Sequence, residues 1–330
     1  MKQSAQTVQI SPPLHHTRTW RAYMKRNWIL YAMVLPGIAA LMLFKYLPMY
    51  GILMAFENYY PQKGIAGSAW VGLKHFRKFF ASPYFDRLVG NTFALGIESL
   101  IFTFPAPIIL ALLLNEMRQE KFKRTVQTIS YMPYFISTVI VVGILKDMCS
   151  TNGGIINVII EALGGKPIGF FSDPKWFRPL YIISGIWSGI GYNSIIYLAA
   201  ISGINQELYE SAVLDGANRF QKAIHITLPC ISSTIIILLI FAVGGIVGND
   251  STKILLMYSP LTYKTSDVIS TYVYREGVLG GSYSYTTAIN LFNSVISLFF
   301  LLTTNFIARR ISDSSIFYGG LKRCMRSRIG

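Results

Sequence analysis

The sequence predicts an all-α polytopic membrane protein with six transmembrane helices, and three observations lead there. Of its 330 residues 52% are hydrophobic and 14% charged, with a mean hydropathy of +0.43, a balance suited to lipid contact. Six apolar windows recur along the chain, each about the 20 residues a helix needs to cross roughly 30 Å of hydrocarbon. Basic residues are enriched on alternate loops, as the positive-inside rule requires.

Residues 1–27 are polar and carry one charged residue before position 18. They lack the apolar core and cleavage site of a signal peptide, so the first hydrophobic helix is expected to be the export signal itself. The stretch Trp20-Arg21-Ala22-Tyr23-Met24-Lys25-Arg26 suits either an interfacial helix or a plain basic flank. Spans are expected at 28–47, 88–114, 126–147, 179–203, 226–248 and 286–308. Residues 28–310 then form the transmembrane domain, and 311–330 a tail.

An even number of spans places both termini on one side. With the N-terminus inside, the inner segments hold 17 Lys and Arg against 11 in the outer loops. The bias is sharpest at Arg118, Lys121, Lys123 and Arg124 and at the flanks Lys25-Arg26 and Arg309-Arg310. Both termini are therefore expected in the cytoplasm, and the net charge of +15 reports orientation rather than nucleic-acid binding. Cys149, Cys230 and Cys324 fall in separate places on this topology, which argues against a disulfide framework. No internal repeat is visible, unlike the duplicated halves of many secondary transporters. Six helices enclose a large solute path poorly, so a partner subunit is expected.

The inner loop 204–225 is unlike a bare connector. Leu208, Ala212 and Leu214 suggest one short helix with an apolar side, Gly216 a sharp break, and Phe220, Ala223 and Ile224 a second helix before Pro229 at the start of span five. Ala212, Gly216 and Ala217 are small enough for close approach of a partner, and Glu210, Asp215 and Arg219 are able to orient it through charged hydrogen bonds. The alternative is an interfacial helix capped by Asp215 with no partner.

Glu210-Ser211-Ala212, Asp215-Gly216-Ala217 and Ile226-Thr227-Leu228-Pro229 resemble the Glu-Ala-Ala signature of permeases of binding-protein-dependent ABC importers, with Ser211 replacing an alanine. The stretches 104–116, 193–200 and 267–275 resemble, more narrowly, the LplB-like carbohydrate permeases of the MalF-type superfamily. The similarity runs from about Trp28 to Arg310. One departure is Asp250-Ser251-Thr252, where that set has Gly-Phe-Glu. The resemblance implies a type I importer permease fold in a bacterial cell membrane. It also implies that Glu210, Ala212, Asp215, Gly216, Ala217, Arg219, Leu228 and Pro229 form a coupling helix that docks on a cytoplasmic ABC ATPase dimer. The other partners it implies are a second, nonidentical permease, an extracellular solute-binding lipoprotein and an oligosaccharide, moved by alternating access. ATP and magnesium belong to the partner ATPase, and no cofactor is expected on this chain.

A sugar path needs aromatic faces and amide or hydroxyl groups. Tyr134, Trp187, Tyr192, Asn193, Tyr197, Asn290 and Asn293 are the candidates, and helix packing is the competing reading of each. Glu98 lies ten residues inside span two and is either a solute or proton group, as in an ion-coupled secondary transporter, or one side of a bond to a neighbouring helix. Gly164-Gly165-Lys166-Pro167 lacks the upstream glycine and the hydroxyl of a nucleotide-binding P-loop, so the chain is not expected to be the ATPase. Zinc-protease and nucleophile-elbow motifs are also absent from the sequence, and His15, His16, His75 and His225 are scattered, so neither an enzyme nor a metal site is expected.

Overall fold

The computed structural model describes residues 24–117 and 119–311. The polar start of the chain, Arg118 and the tail with Cys324 lie outside the described residues. The chain divides into two units, residues 1–53 and 54–330. In the first, helix α1 (Trp28–Leu41) passes into a wider turn at Met42–Tyr46 and a tight helical stretch from Leu47. Its surface is apolar on every side, as a lipid-facing helix requires.

The second unit opens on a two-residue antiparallel ladder, β1 (Glu57–Asn58) with β2 (Ala69–Trp70). The helices that follow are α2 (Lys74–Phe80), α3 (Phe85–Phe102), α4 (Pro105–Asn115), α5 (Glu120–Tyr131), α6 (Thr138–Met148), α7 (Ile155–Ala162) and α8 (Pro174–Ser202). Then come α9 (Gln206–Leu214), α10 (Arg219–Lys222), α11 (Leu228–Cys230), α12 (Ser232–Gly244), α13 (Ser251–Met257), α14 (Tyr263–Ser266), α15 (Ile269–Val273) and α16 (Tyr283–Ile311).

Four helical stretches are long and apolar enough to cross a membrane: Trp28–Phe56, Phe85–Asn115, Pro174–Ser202 and Tyr283–Arg310. Two more candidates are bent pairs. Glu120–Phe135 and Thr138–Met148 meet at 100°, and Arg219–Cys230 and Ser232–Gly244 at 68°. The described residues thus offer four spans, or six if each bent pair is one. The expected single helix at 126–147 is corrected by this bend. Pro133 lies in the tight turn Met132–Phe135, and Ser137 starts α6 afresh by accepting a hydrogen bond from the Ile140 N–H. A proline and an N-cap side by side end one helix and begin another. Before Pro105 the helix is briefly interrupted, with α3 ending at Phe102 and Pro105 at the first position of α4, where its missing N–H costs nothing.

α8 is the central element. Phe177, Leu180 and Tyr181 at one end join a core with Leu95, Val142, Ile254 and Met257, while Tyr197 and Ile201 at the other pack with Ile108, Ala111 and Ile231. Glycines set two of the closest approaches. A methyl group on Gly191 would strike the backbone carbonyl of Ser130, and one on Gly96 that of Ile246. The stretches expected as outer loops are folded. Residues 249–285 form α13, α14, α15 and a wide helical turn at Tyr274–Leu279, packed on α3, α8 and α16.

Candidate functional site

Two places carry the sequence's chemistry. The first is the loop between α8 and α12. Asn205 caps α9 by accepting from the Glu207 N–H, and at its far end the Gly216 N–H donates to the Val213 carbonyl and the Ala217 N–H to that of Ala212. This paired closure needs a left-handed residue, and Gly216 has φ +77°. The expected break is therefore a helix end. Asp215 is the C-cap of α9. Asn218 does the capping of α10, exchanging bonds with Gln221 in a capping box.

This helix–turn–helix is fastened to the run into α12 by Tyr209, whose hydroxyl lies 2.9 Å from Thr227 Oγ1. Thr227 is 1% exposed and sits inside the Ile-x-Leu-Pro signature. Neither Tyr209 nor Thr227 was singled out from sequence, because a polar pair 18 residues apart has no periodic signal. Glu210, Asp215, Gly216 and Arg219 are exposed, while Ala212, Ala217 and Leu228 are half-buried. Leu214 and Phe220 are 89% and 73% exposed. Arg219 reaches toward Glu116 at the end of α4 at 4.0 Å, a loose surface contact. Between the helices is a cavity of about 310 Å³ bounded by Asp215, Gly216, Lys222 and His225. Pro229 lies in α11, two residues before the bend at Ile231.

The second place is a cavity of about 370 Å³ between α3, α4, α8 and the end of α12. Asn193 and Tyr197 line it, with Ser99, Thr103, Tyr181 and Asp250. The other five aromatic and amide candidates are not among its lining. Tyr134 and Tyr192 stack on each other, centroids 3.8 Å apart, and Trp187 is 49% exposed. Asn290 is exposed, and Asn293 Nδ2 donates to the Val247 carbonyl in the turn after α12 at 3.2 Å, a packing bond between α16 and that turn.

Glu98 resolves into a partnered group. Arg178 Nη1 of α8 donates to its Oε1 at 3.0 Å, and Arg178 Nη2 donates to Asn91 Oδ1 at 3.0 Å. Asn91 in turn donates to the carbonyls of Lys264 and Asp267. The Asp267 side chain, fully buried, is held by Arg87 at 2.8 Å and Arg275 at 3.1 Å. Burial works against the Arg275 charge, yet its hydrogen bonds and attraction to Asp267 leave its pKa raised. Arg178 and Arg87 were not identified from sequence because their partners are 80 to 180 residues away. Among the described residues there is no group of three or more His, Cys, Asp or Glu able to hold a metal.

The model of the binding-protein-dependent transport system inner membrane component family matches residues 103–313, which takes in α4 to α16, the Gly216 turn and most of the cavity wall. The chain belongs to that family. It is a transport permease component of a membrane importer, and its relatives agree along nearly the whole length. Protein LplB of Bacillus subtilis (strain 168) is 44% identical over 299 residues, covering 91% of this permease and 94% of LplB. The polygalacturonan/rhamnogalacturonan transport system permease protein YteP of the same strain is 43% identical over 288 residues, covering 87% and 90%. A crystal structure of a bacterial ABC transporter for import of the acidic polysaccharide alginate contains a chain that superposes with a TM-score of 0.82 at 45% identity. That match covers 89% of this permease and 99% of that chain. The bacterial alginate transporter in complex with an alginate pentasaccharide-bound periplasmic protein gives 0.83 at 44%, covering 91% and 100%.

Proposed function

We propose that this permease is one of two nonidentical membrane subunits of an ATP-driven importer that moves an oligosaccharide delivered by an extracellular solute-binding lipoprotein. The observation that carries the reading is the exposed α9–Gly216–α10 turn between two candidate spans. It presents Leu214 and Phe220 beside Asp215 and Arg219, apolar anchors ringed by charge, as an interface requires. An ABC ATPase dimer docks there, holds ATP and magnesium, and drives the turn. Tyr209 and Thr227 pass the movement to α11 and, across the 68° bend, to α12, which borders the 370 Å³ cavity.

In this reading the two bent pairs each cross the bilayer once, giving six spans with both termini in the cytoplasm, as the charge bias favours. The saccharide solute is supported by the names of YteP and the alginate transporter, and by a cavity that offers aromatic faces with amide and hydroxyl groups. An ion-coupled mechanism at Glu98 loses its main support, since that carboxylate is already paired with Arg178.

A pull-down of the tagged chain from mild detergent tests the reading. Wild type is expected to bring down a second permease and an ATPase, and Asp215→Lys to lose the ATPase while keeping the permease. Intact wild-type protein with no ATPase, under conditions that preserve complexes, would overturn the proposal.

A further inference from the structure

The solute cavity, taken as part of the transport path proposed above, has a composition that bears on which saccharides enter it. Its wall is built from glycines, aliphatic and aromatic side chains, the amides Asn193 and Asn249, and the hydroxyls of Ser99, Thr103 and the tyrosines. Among the described residues, Asp250 is the one charged residue on that wall, and no lysine or arginine lines it.

Asp250 is exposed and lies among the residues that line the cavity. Oδ1 accepts the backbone N–H of Lys253 at 3.1 Å, as the N-cap of α13. The nearby cation, Lys253, is turned to other work. It is 7% exposed, its Nζ donates to the Tyr181 carbonyl at 2.8 Å, and the same ammonium sits 4.6 Å from the Tyr181 ring centroid. Tyr181 therefore stands against the cavity with Lys253 fastened to it, and the ammonium is not part of the wall. The Asp250 N–H lies 3.3 Å from the Tyr181 hydroxyl, which holds the carboxylate's backbone at the cavity edge. Arg178 of α8 is committed to Glu98 and Asn91.

A cavity with low-dielectric walls and one sign of charge focuses that charge on whatever enters. A uronate would have to bring its carboxylate near Asp250 with no cation of the wall to pair it, and unpaired charges in such places are costly. A neutral pyranose meets amides and hydroxyls, and an amino sugar gains an ion pair. We infer that Asp250 sets the charge selection of this cavity, admitting neutral or amino-bearing saccharide units and disfavouring uronates. This differs from what the names of YteP and the alginate transporter describe for those proteins. It also gives a role to the Asp250-Ser251-Thr252 stretch in which this chain departs from its set.

The test reads the field without knowing the solute. In the full chain in native membranes, with Cys149, Cys230 and Cys324 replaced by serine, Ser99→Cys supplies a reporter thiol on the wall, and Asn193→Cys a second. Modification rates are measured with a cationic trimethylammonium methanethiosulfonate and an anionic sulfonate reagent. Asp250→Asn removes the charge but retains an N-cap of equal strength. The cationic-to-anionic rate ratio is expected to fall roughly threefold in that variant, the size of effect one charge exerts across several ångströms of wet cavity. An unchanged ratio at both reporters overturns the inference, as does failure of both thiols to react, which would mean the cavity is not open to solutes. The importer reading fails by a different result, loss of the ATPase from the wild-type pull-down, which the thiol ratio does not affect.

Discussion

Arg178 of α8 bridges two residues of α3, donating from one guanidinium nitrogen to Glu98 and from the other to Asn91, each at 3.0 Å. The two contacts are seven residues apart, two turns of one helix face, so a single arginine aligns α8 along α3. The Glu98 and Arg178 side chains are 32% and 26% exposed, so the ion pair itself is partly screened and contributes little. Glu98→Gln is expected to lower thermal stability in detergent by less than about 1 kcal/mol and to leave ATP-driven uptake in place. Uptake lost in that variant, with the ATPase still captured, would restore the ion-coupled reading.

Asp267 is a different case, because its side chain is fully buried between Arg87 and Arg275. Asp267→Asn would leave two guanidiniums facing a neutral amide. The expected loss is about 3 kcal/mol, the low end for a broken buried pair, since both arginines keep some solvent contact. Unfolding followed by tryptophan fluorescence in detergent measures it. Because Asn91 binds the Asp267 carbonyl rather than the carboxylate, Arg87→Met together with Asp267→Asn is expected to be less damaging than Asp267→Asn alone. A double variant weaker than the single would show that the charges are not what holds this corner.

Gly216 separates backbone conformation from space. A Cβ there meets nothing within 4 Å, yet φ is +77°. Asn tolerates the left-handed region and β-branched residues do not. Gly216→Asn is therefore expected to retain most ATP-coupled uptake, and Gly216→Val to insert normally and lose it. Normal uptake with valine would remove the turn from the coupling path.

Lys253 makes stability depend on pH. Burial lowers its pKa from 10.5 to about 8, with the charge of Asp250 opposing the fall. Between these values the unfolded chain binds the proton that the folded chain has released, so stability rises with pH through the window. The full penalty is present below about pH 8. Going from pH 7.5 to 9.5 should stabilise the wild type relative to Lys253→Met by on the order of 2 kcal/mol. Thermal unfolding of both proteins at the two values checks this, and parallel curves would exclude Lys253 as the titrating group.

Much of this was legible before any coordinates. The apolar windows 88–114, 179–203 and 286–308 follow from side-chain transfer energies, which act residue by residue along the chain, and each overlaps a long apolar helical stretch of the structure. The spacing Glu210, Asp215, Gly216, Pro229 was enough to place a helix break in a loop, because a left-handed turn needs a glycine wherever it occurs. Which end each capping residue serves was not legible: Asp215 and Asn218 are both residue types that cap and lie three residues apart, and the structure gives Asp215 the C-cap of α9 and Asn218 the N-cap of α10. Among the pathway candidates, type alone did not distinguish Asn193 and Tyr197 on the cavity wall from Asn293, which spends its amide on the Val247 carbonyl.

The sequence by itself determined the membrane class, the main apolar windows and the family signature within 210–229, because hydrophobicity and turn chemistry are local properties. Only the tertiary structure decided that Glu98 is paired, that Asp267 is clasped by two arginines, that one candidate span bends by 100°, and that Asp250 lines a cavity while Lys253 is buried behind Tyr181. Each of these depends on which distant segments meet. A charge buried in a bundle is stable only where packing brings it a partner, and that partner's place in the chain leaves no periodic mark.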